Sequence, residues 1–366
     1  MTTKRQFLQT ASALSVSAWL NNASAASVLM KGSGWFMPEE SMPHQRTWMA
    51  FAANPKIWGE KRVPEVQKNL ATIARTIAIY EPVTLLVNEA DYELAGNLCG
   101  PSVDLLICPL DDLWIRDTGA VFLIDTSGKS AGISFNFNGW GNKQQHLNDK
   151  RVADFILKQG PTQRLNTRLV LEGGALEVDG RGTAIITESC VLNENRNPGL
   201  RKSVCEAELK SLLGLRKIIW LPGIAGHEIT DGHTDFYARF TEPGVVVVGF
   251  DPEPDSFDHA VTNAHIEILQ SATDCEGRRL QVHIIEAPKN VRTKFETKDF
   301  AAGYINFYVI NGAVIAPQFG DPKADSKARE TMRRLYPGRE VIQLDIDALA
   351  AGGGGIHCVT LQEPRI

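Results

Sequence analysis

The sequence predicts a strand-rich α/β fold assembled from similar units around a common centre, on three observations. Of 366 residues, 31 are Gly and 18 are Pro, a content of chain-turning residues that favours short strands over long helices. Segments rich in β-branched and aromatic residues often come in pairs before each helix-patterned segment. Polar groups at strand ends or in Gly-flanked turns also recur about every 60 residues: Asp117, Glu172, His233 with Asp235, Asn306, and His357 with Cys358. That recurrence suits a radial repeat in which each unit sends one polar group to a shared axis.

Taken in order, the first 25 residues read as a processing segment. Lys4 and Arg5 precede an apolar stretch from Ala11 to Leu20, softened by Ser12, Ser15 and Ser17, and Ala23-Ser24-Ala25 supplies an A-x-A cleavage site. The stretch is shorter than the roughly 20 apolar residues that span a bilayer as a helix. Thr3-Lys4-Arg5-Gln6-Phe7-Leu8 resembles the twin-arginine export signal, with Lys4 where that signal carries its first Arg. The expectation is a signal peptide over 1–25, export to the periplasm, and one catalytic domain over 26–366 with no membrane association once mature. Within that domain the patterns predict a strand at 47–52, a helix at 63–80, strands at 83–87, 103–108, 120–124 and 132–136, and a helix at 150–159. Strands at 169–178 and 184–187, a helix at 201–213, strands at 217–221 and 245–250, and a helix at 257–271 follow. The series ends with strands at 304–310 and 313–317 and a helix at 323–335. No low-complexity linker interrupts it.

Composition narrows the function. With 43% hydrophobic and 22% charged residues, the chain is neither disordered, collagenous nor a coiled coil. Its 38 basic and 43 acidic residues leave a net charge of −5 with no basic run, so nucleic acid and anionic membranes are not expected partners, and a charged ligand is expected to be cationic. Self-assembly into a homo-oligomer is compatible with the sequence. The six cysteines contain no CxxC pair, which excludes a zinc ribbon and a dithiol redox motif. Five of them read as small buried hydrophobes. Cys358 does not.

The chemistry concentrates in five places. In Trp114-Ile115-Arg116-Asp117-Thr118-Gly119, a carboxylate beside an aromatic face suits a cationic planar ligand, held by charge-assisted hydrogen bonds and by cation–π contact. The alternative is an Arg116–Asp117 ion pair closing a turn. Trp140, in the loop 136–141, either lines the same pocket or belongs to a Gly-flexed turn. Glu172, before Gly173 and Gly174, is placed to orient a base where another backbone comes close. His233 and Asp235 lie two apart, on one face if the segment is extended, and imidazole is the natural proton carrier. His227 nearby raises a metal site as an alternative, although no closed ligand set is spaced like one and no metal is expected.

Four glycines, Gly352 to Gly355, deliver Cys358 at the entry to a strand through a turn few other residues could make. A thiol so placed, with an imidazole from elsewhere in the fold, meets the needs of an activated nucleophile. His357 points to the opposite face if this segment is extended, leaving His233 as the partner. Two carboxylates can hold a guanidinium by its nitrogens and present its carbon to a thiolate. The substrate's charge then helps keep the sulfur ionised. An esterase or protease would instead want oxyanion donors.

Residues 114–119, 172–180, 232–235, 304–320 (YINFYVINGAVIAPQFG) and 353–364 (GGGIHCVTLQEP) resemble the agmatine deiminase branch of the peptidyl-arginine deiminase family. The resemblance implies a five-bladed pentein α/β-propeller of ββαβ units around a central active site. It also implies hydrolysis of agmatine to N-carbamoylputrescine and ammonia, with a small cationic guanidino compound as substrate and without cofactor or metal. By position, Cys358 matches the nucleophile, His233 the acid/base, Glu172 the acid that orients it, and Asp117 and Asp235 the carboxylates that hold the guanidinium. Trp114 falls in the matching substrate-site motif. Asp231 before Gly232 and Phe236 after Asp235 depart from the common pattern, as does export. Peptidyl-arginine deimination, amidino transfer to an amine, and polyamine binding without catalysis remain as alternatives.

Overall fold

A computed structural model describes residues 34–366. The expected signal peptide, residues 1–25, lies outside the described residues. The chain runs through β1 (Trp35–Phe36), β2 (His44–Phe51), α1 (Val63–Ile77), β3 (Val83–Val87), α2 (Tyr92–Cys99) and β4 (Asp104–Ile107). Four rounds of strand, strand, helix, strand follow. They are β5 (Val121–Asp125), β6 (Ser130–Ile133), α3 (Val152–Leu157) and β7 (Gln163–Leu165), then β8 (Glu177–Val178), β9 (Thr183–Thr187), α4 (Lys202–Leu213) and β10 (Lys217–Leu221). The third is β11 (Ala238–Glu242), β12 (Val245–Phe250), α5 (His259–Ser271) and β13 (Gln281–Glu286), and the fourth is β14 (Tyr308–Ile310), β15 (Ala313–Gln318), α6 (Pro322–Leu335) and β16 (Glu340–Asp345). β17 (Leu361–Pro364) ends the chain.

In each round the first strand pairs antiparallel with the second, and the second parallel with the third, as in β5–β6 and β6–β7 or β11–β12 and β12–β13. The remaining sheet joins the two ends of the chain. β17 runs antiparallel to β2, with Leu361 opposite Trp48, while β2, β3 and β4 are parallel. The described residues therefore form five small sheets with one common pairing rule, built from ββαβ units.

Local sequence explains the elements that were legible. α1 buries Val66, Leu70, Ile73, Ala74 and Ile77, a stripe at 3–4 spacing, and places Pro64 in its first turn where no hydrogen bond is lost. α6 starts where the Asp321 carboxylate accepts from the backbone N–H groups of Lys323 and Ala324, and it ends with Arg333 and Arg334 against the helix dipole. β3 is buried along its whole length, as an inner parallel strand must be.

Two expected strands are much shorter than the sequence suggested, and the one expected at 132–136 lies at Ser130–Ile133. Of 169–178 only Glu177–Val178 is strand, and of 304–310 only Tyr308–Ile310. The remainder turns toward the centre of the molecule instead of joining a ladder. The outer strands β7, β13 and β16 were not predicted, because they are mostly exposed or half-buried and their apolar residues are interrupted by polar ones, unlike the apolar outer strand β10. β11 was hidden by Arg239, which is buried between Glu40 and Glu177.

Candidate active site

The segment leading into the first strand of each unit carries a polar group toward the centre. Asp117 lies on the turn Ile115–Thr118 before β5, and Glu172 precedes the turn Gly173–Ala175 before β8. His233 and Asp235 flank the start of the turn Thr234–Phe236 before β11. Asn306 comes two residues before β14, and His357 and Cys358 form the turn before β17. Successive contacts therefore join residues 57, 61, 71 and 52 positions apart in the chain. The recurrence seen in the sequence is the length of one unit.

Cys358 is almost fully buried. Its Sγ donates to Asn306 Oδ1 at 3.4 Å and lies 3.6 Å from Asp235 Oδ2, while its backbone N–H also meets Asn306 Oδ1. The segment is a 3-10 turn and not extended, so His357 does not face away as expected. Its ring spans two carboxylates, Nδ1 2.7 Å from Asp235 Oδ2 and Nε2 2.8 Å from Glu40 Oε2. Glu40 in turn binds Arg116, Arg239 and the backbone N–H of Val309. Arg116 thus pairs with Glu40, which overturns the alternative of an Arg116–Asp117 ion pair and leaves Asp117 for the site.

His233 is the second focus. Its Nε2 lies 3.2 Å from Glu172 Oε2 and its Nδ1 3.7 Å from Asp117 Oδ1. Asp117 accepts from Trp140 Nε1 at 2.9 Å and from the backbone N–H of Gly174. The sequence reading missed Arg196. Its Nε donates to both Glu172 oxygens at 2.9 and 3.0 Å, and its other nitrogens donate to Asp231 Oδ2 and to the carbonyl of Thr230. One buried guanidinium thereby holds both the acid behind His233 and the segment that delivers His233. Asp231 adopts φ +62°, a left-handed conformation that Asp tolerates, and Gly232 follows at +91°.

Electrostatics separate these groups. Burial opposes charge on His233, but Asp117, Cys190 and Glu172 outweigh it and hold its pKa well above the ordinary range, so the imidazole carries a proton at neutral pH. Burial pushes the Asp117 carboxyl up to about 6, against the pull of His233 and with the help of Asp235 and Glu172. Asp235, also buried, is nevertheless held below the ordinary carboxylate range by His357. Burial, Asp235 and Asp117 together raise the Cys358 thiol well above its usual value. The resting sulfur is therefore a thiol, and a cation between the carboxylates is what would release its proton.

The glycines serve close approach more than turning. A Cβ at Gly174 would stand 2.6 Å from His233 Nδ1, 2.9 Å from Asp117 Oδ1 and 3.2 Å from Asp235 Oδ2, so glycine there keeps the gap between two carboxylates and the imidazole open. Of the run expected to work by backbone freedom, only Gly353 has positive φ. A Cβ at Gly352 would strike Trp58, at Gly354 Trp114, and at Gly355 Asn306.

A cavity of about 520 Å³ opens from this centre. Trp114, His233 and Gly353 are on its wall, and Trp58 packs against Trp114 with ring centroids 5.6 Å apart. Cys358, Asp117 and Asp235 are not on the wall. Trp140 is not on the wall either and meets the site through Asp117. Among the described residues, Glu172, Cys190 and His233 alone bring metal-ligand atoms within 4.8 Å of one another. Arg196 already occupies both oxygens of that carboxylate.

Comparison with known proteins places this arrangement. The agmatine deiminase of Stutzerimonas stutzeri is 37% identical over 354 residues, covering 90% of this chain and 96% of that protein. That of Pseudomonas aeruginosa is 36% identical over 357 residues, covering 91% and 96%. The solved structure of agmatine deiminase from Enterococcus faecalis superposes with a TM-score of 0.85 at 30% identity, over 91% of this chain and 96% of that one. The five-sheet α/β architecture is accordingly of the pentein type. Residues 36–364 match the family described as Porphyromonas-type peptidyl-arginine deiminase, and the chain belongs to that family.

Proposed function

We propose that the chain is an amidine hydrolase that converts agmatine and water into N-carbamoylputrescine and ammonia through a covalent intermediate on Cys358. The observation that carries this reading is the grouping of Asp117, Asp235, His233 and Cys358 about Gly174, two carboxylates with a proton donor and a nucleophile. The guanidinium nitrogens bind Asp117 and Asp235, and its positive charge offsets the two carboxylates that hold the thiol protonated. The Cys358 proton passes to solvent water, the thiolate attacks the guanidinium carbon, and His233 gives its own proton to the departing nitrogen, which leaves as ammonia. Neutral His233 then takes a proton from water, whose oxygen attacks the S-amidino carbon. The carbon–sulfur bond breaks, its electrons return to sulfur, the hydroxyl proton passes to the thiolate or to solvent as the carbonyl forms, and the ureido product leaves. Glu172, held by Arg196, steadies the imidazole through both steps.

The test is ammonia release from agmatine and from a blocked arginine peptide. Agmatine should be favoured by about 10-fold or more, which needs only about 1.4 kcal/mol of discrimination. Equal or reversed rates would replace this reading with peptidyl-arginine deimination, the activity that an exported member would most naturally serve. The product is a precursor one hydrolysis short of putrescine, so the enzyme would feed a carbamoyl-amide-hydrolysing step.

Residues 1–25 direct export through a twin-arginine-type route on the same reading. Folding before export would bury Cys358 before it meets an oxidising compartment. Replacing Lys4 and Arg5 with Gln should retain unprocessed, active enzyme in the cytoplasm; normal processing in that variant would remove the export reading.

A further inference from the structure

Beyond Trp114 and His233, the cavity provides room for the tail of a guanidino substrate, and its outer wall carries four carboxylates: Glu228, Asp251, Asp258 and Asp299. Three are engaged in other ways. Glu228 accepts from the backbone N–H groups of Thr230 and Gly232 and from the Thr230 hydroxyl, at 2.5–2.6 Å, and so shapes the turn before His233. Asp251 accepts from the backbone N–H of Glu253. Asp299 stands more than half exposed, 3.7 Å from Lys298 Nζ.

Asp258 differs. Its Oδ1 accepts from the Tyr237 hydroxyl at 3.1 Å, and among the described residues no hydrogen bond reaches its Oδ2. Tyr237, also on the wall, closes the same turn that carries Asp235, so one hydrogen bond ties this carboxylate to the guanidinium end of the site. Phe236, Phe250 and Phe257 add aromatic wall around it, with Phe257 stacked on His227 at 3.6 Å between centroids. Burial pushes the Asp258 carboxyl up to about 6, helped by Asp251 and Glu228 and opposed by Tyr237 and His227. A cation beside it would relieve that cost.

We infer that Asp258 is the specificity-determining residue that receives the distal ammonium of the substrate, with Tyr237 orienting its carboxylate and the aromatic wall flanking the methylene chain. The inference rests on the guanidine-hydrolase reading. It explains how one cavity could prefer a guanidino compound bearing a second cation over one with an uncharged tail.

The experiment compares ammonia release from agmatine and from n-butylguanidine, of similar length but without the ammonium, by wild type, Asp258→Asn and Tyr237→Phe. The wild type should prefer agmatine. Asp258→Asn should lower kcat/KM for agmatine by about 10-fold or more, chiefly through KM, and change n-butylguanidine less than about twofold. Tyr237→Phe should move agmatine in the same direction by less. Equal losses on both substrates, no loss on agmatine, or a wild type indifferent to the ammonium would each overturn the assignment. A wild type that releases ammonia from neither compound would overturn the hydrolase reading itself.

Discussion

Nδ1 of His357 lies 2.7 Å from Oδ2 of Asp235, so the residue next to the thiol holds a carboxylate assigned to the guanidinium. The same ring reaches Glu40, which binds Arg116 and Arg239. Asp235 is therefore not a loose acid awaiting a cation. It is oriented before any ligand arrives, with one oxygen, Oδ1, buried and without a hydrogen-bond partner among the described residues. A buried acceptor in that state costs stability that a donor from the substrate would recover.

Cys358→Ala should abolish turnover, by about 10⁴-fold or more, and leave folding and ligand binding intact, since deleting a nucleophile removes the covalent route and little else. Ammonia release at a tenth of the wild-type rate or better would remove Cys358 from the mechanism.

The resting thiol should resist neutral alkylating agents at pH 7.5 and react faster as pH rises, because burial, Asp235 and Asp117 hold its proton. A cationic haloacetamidine should react far faster than iodoacetamide at the same pH, since its charge offsets the carboxylates. Equal rates, measured by mass spectrometry of the labelled Cys358 peptide, would contradict this electrostatic account.

Asp117 predicts the acid limb of the pH profile. Its carboxyl is pushed up to about 6 without substrate, and protonation would remove one of two negative charges from the proposed guanidinium site. The value of kcat/KM should fall as pH drops through about 6, while the limb of kcat should lie lower because bound substrate favours the carboxylate. Asp117→Asn should lose about 10- to 150-fold in kcat/KM and lose this limb. An unchanged profile would sever Asp117 from the site.

Gly174→Ala should cost about 100-fold in activity, because the added methyl would stand 2.6 Å from His233 Nδ1 and must displace a reacting group. The accompanying stability loss should stay near the usual 1–3 kcal/mol of overpacking, read by chemical denaturation. Full activity would mean that the gap above Gly174 is not where the guanidinium sits.

Arg196→Met should destabilise the fold by about 3–5 kcal/mol, since it strands Glu172 without its buried partner and takes one cation from Asp231. Activity should fall further than stability explains, because His233 loses its fixed orientation. A variant with wild-type melting and turnover would deny Arg196 both roles.

Much of this protein was open to a reading of the chain alone. The inner strands β3 and β12, the apolar outer strand β10 and the helices α1, α4 and α6 announce themselves by apolar runs or stripes, and the candidate site residues Cys358, His233, Glu172, Asp117 and Asp235 by their glycine-containing settings, because those signals are local. The register of units was visible too, as a polar group recurring once per unit. Partnership was not. Arg196 looks like any loop arginine and Glu40 like any acid before the first long strand, yet one binds Glu172 across 24 residues and the other binds His357 across 317. Similarly, the glycines before Cys358 read as a flexible turn, whereas packing shows that Trp58, Trp114 and Asn306 leave no room for a Cβ. A residue's own conformational preference is written in its neighbours along the chain, but the proton affinity of a buried thiol or imidazole is set by charges that come within 4 Å only after five units have closed on one another.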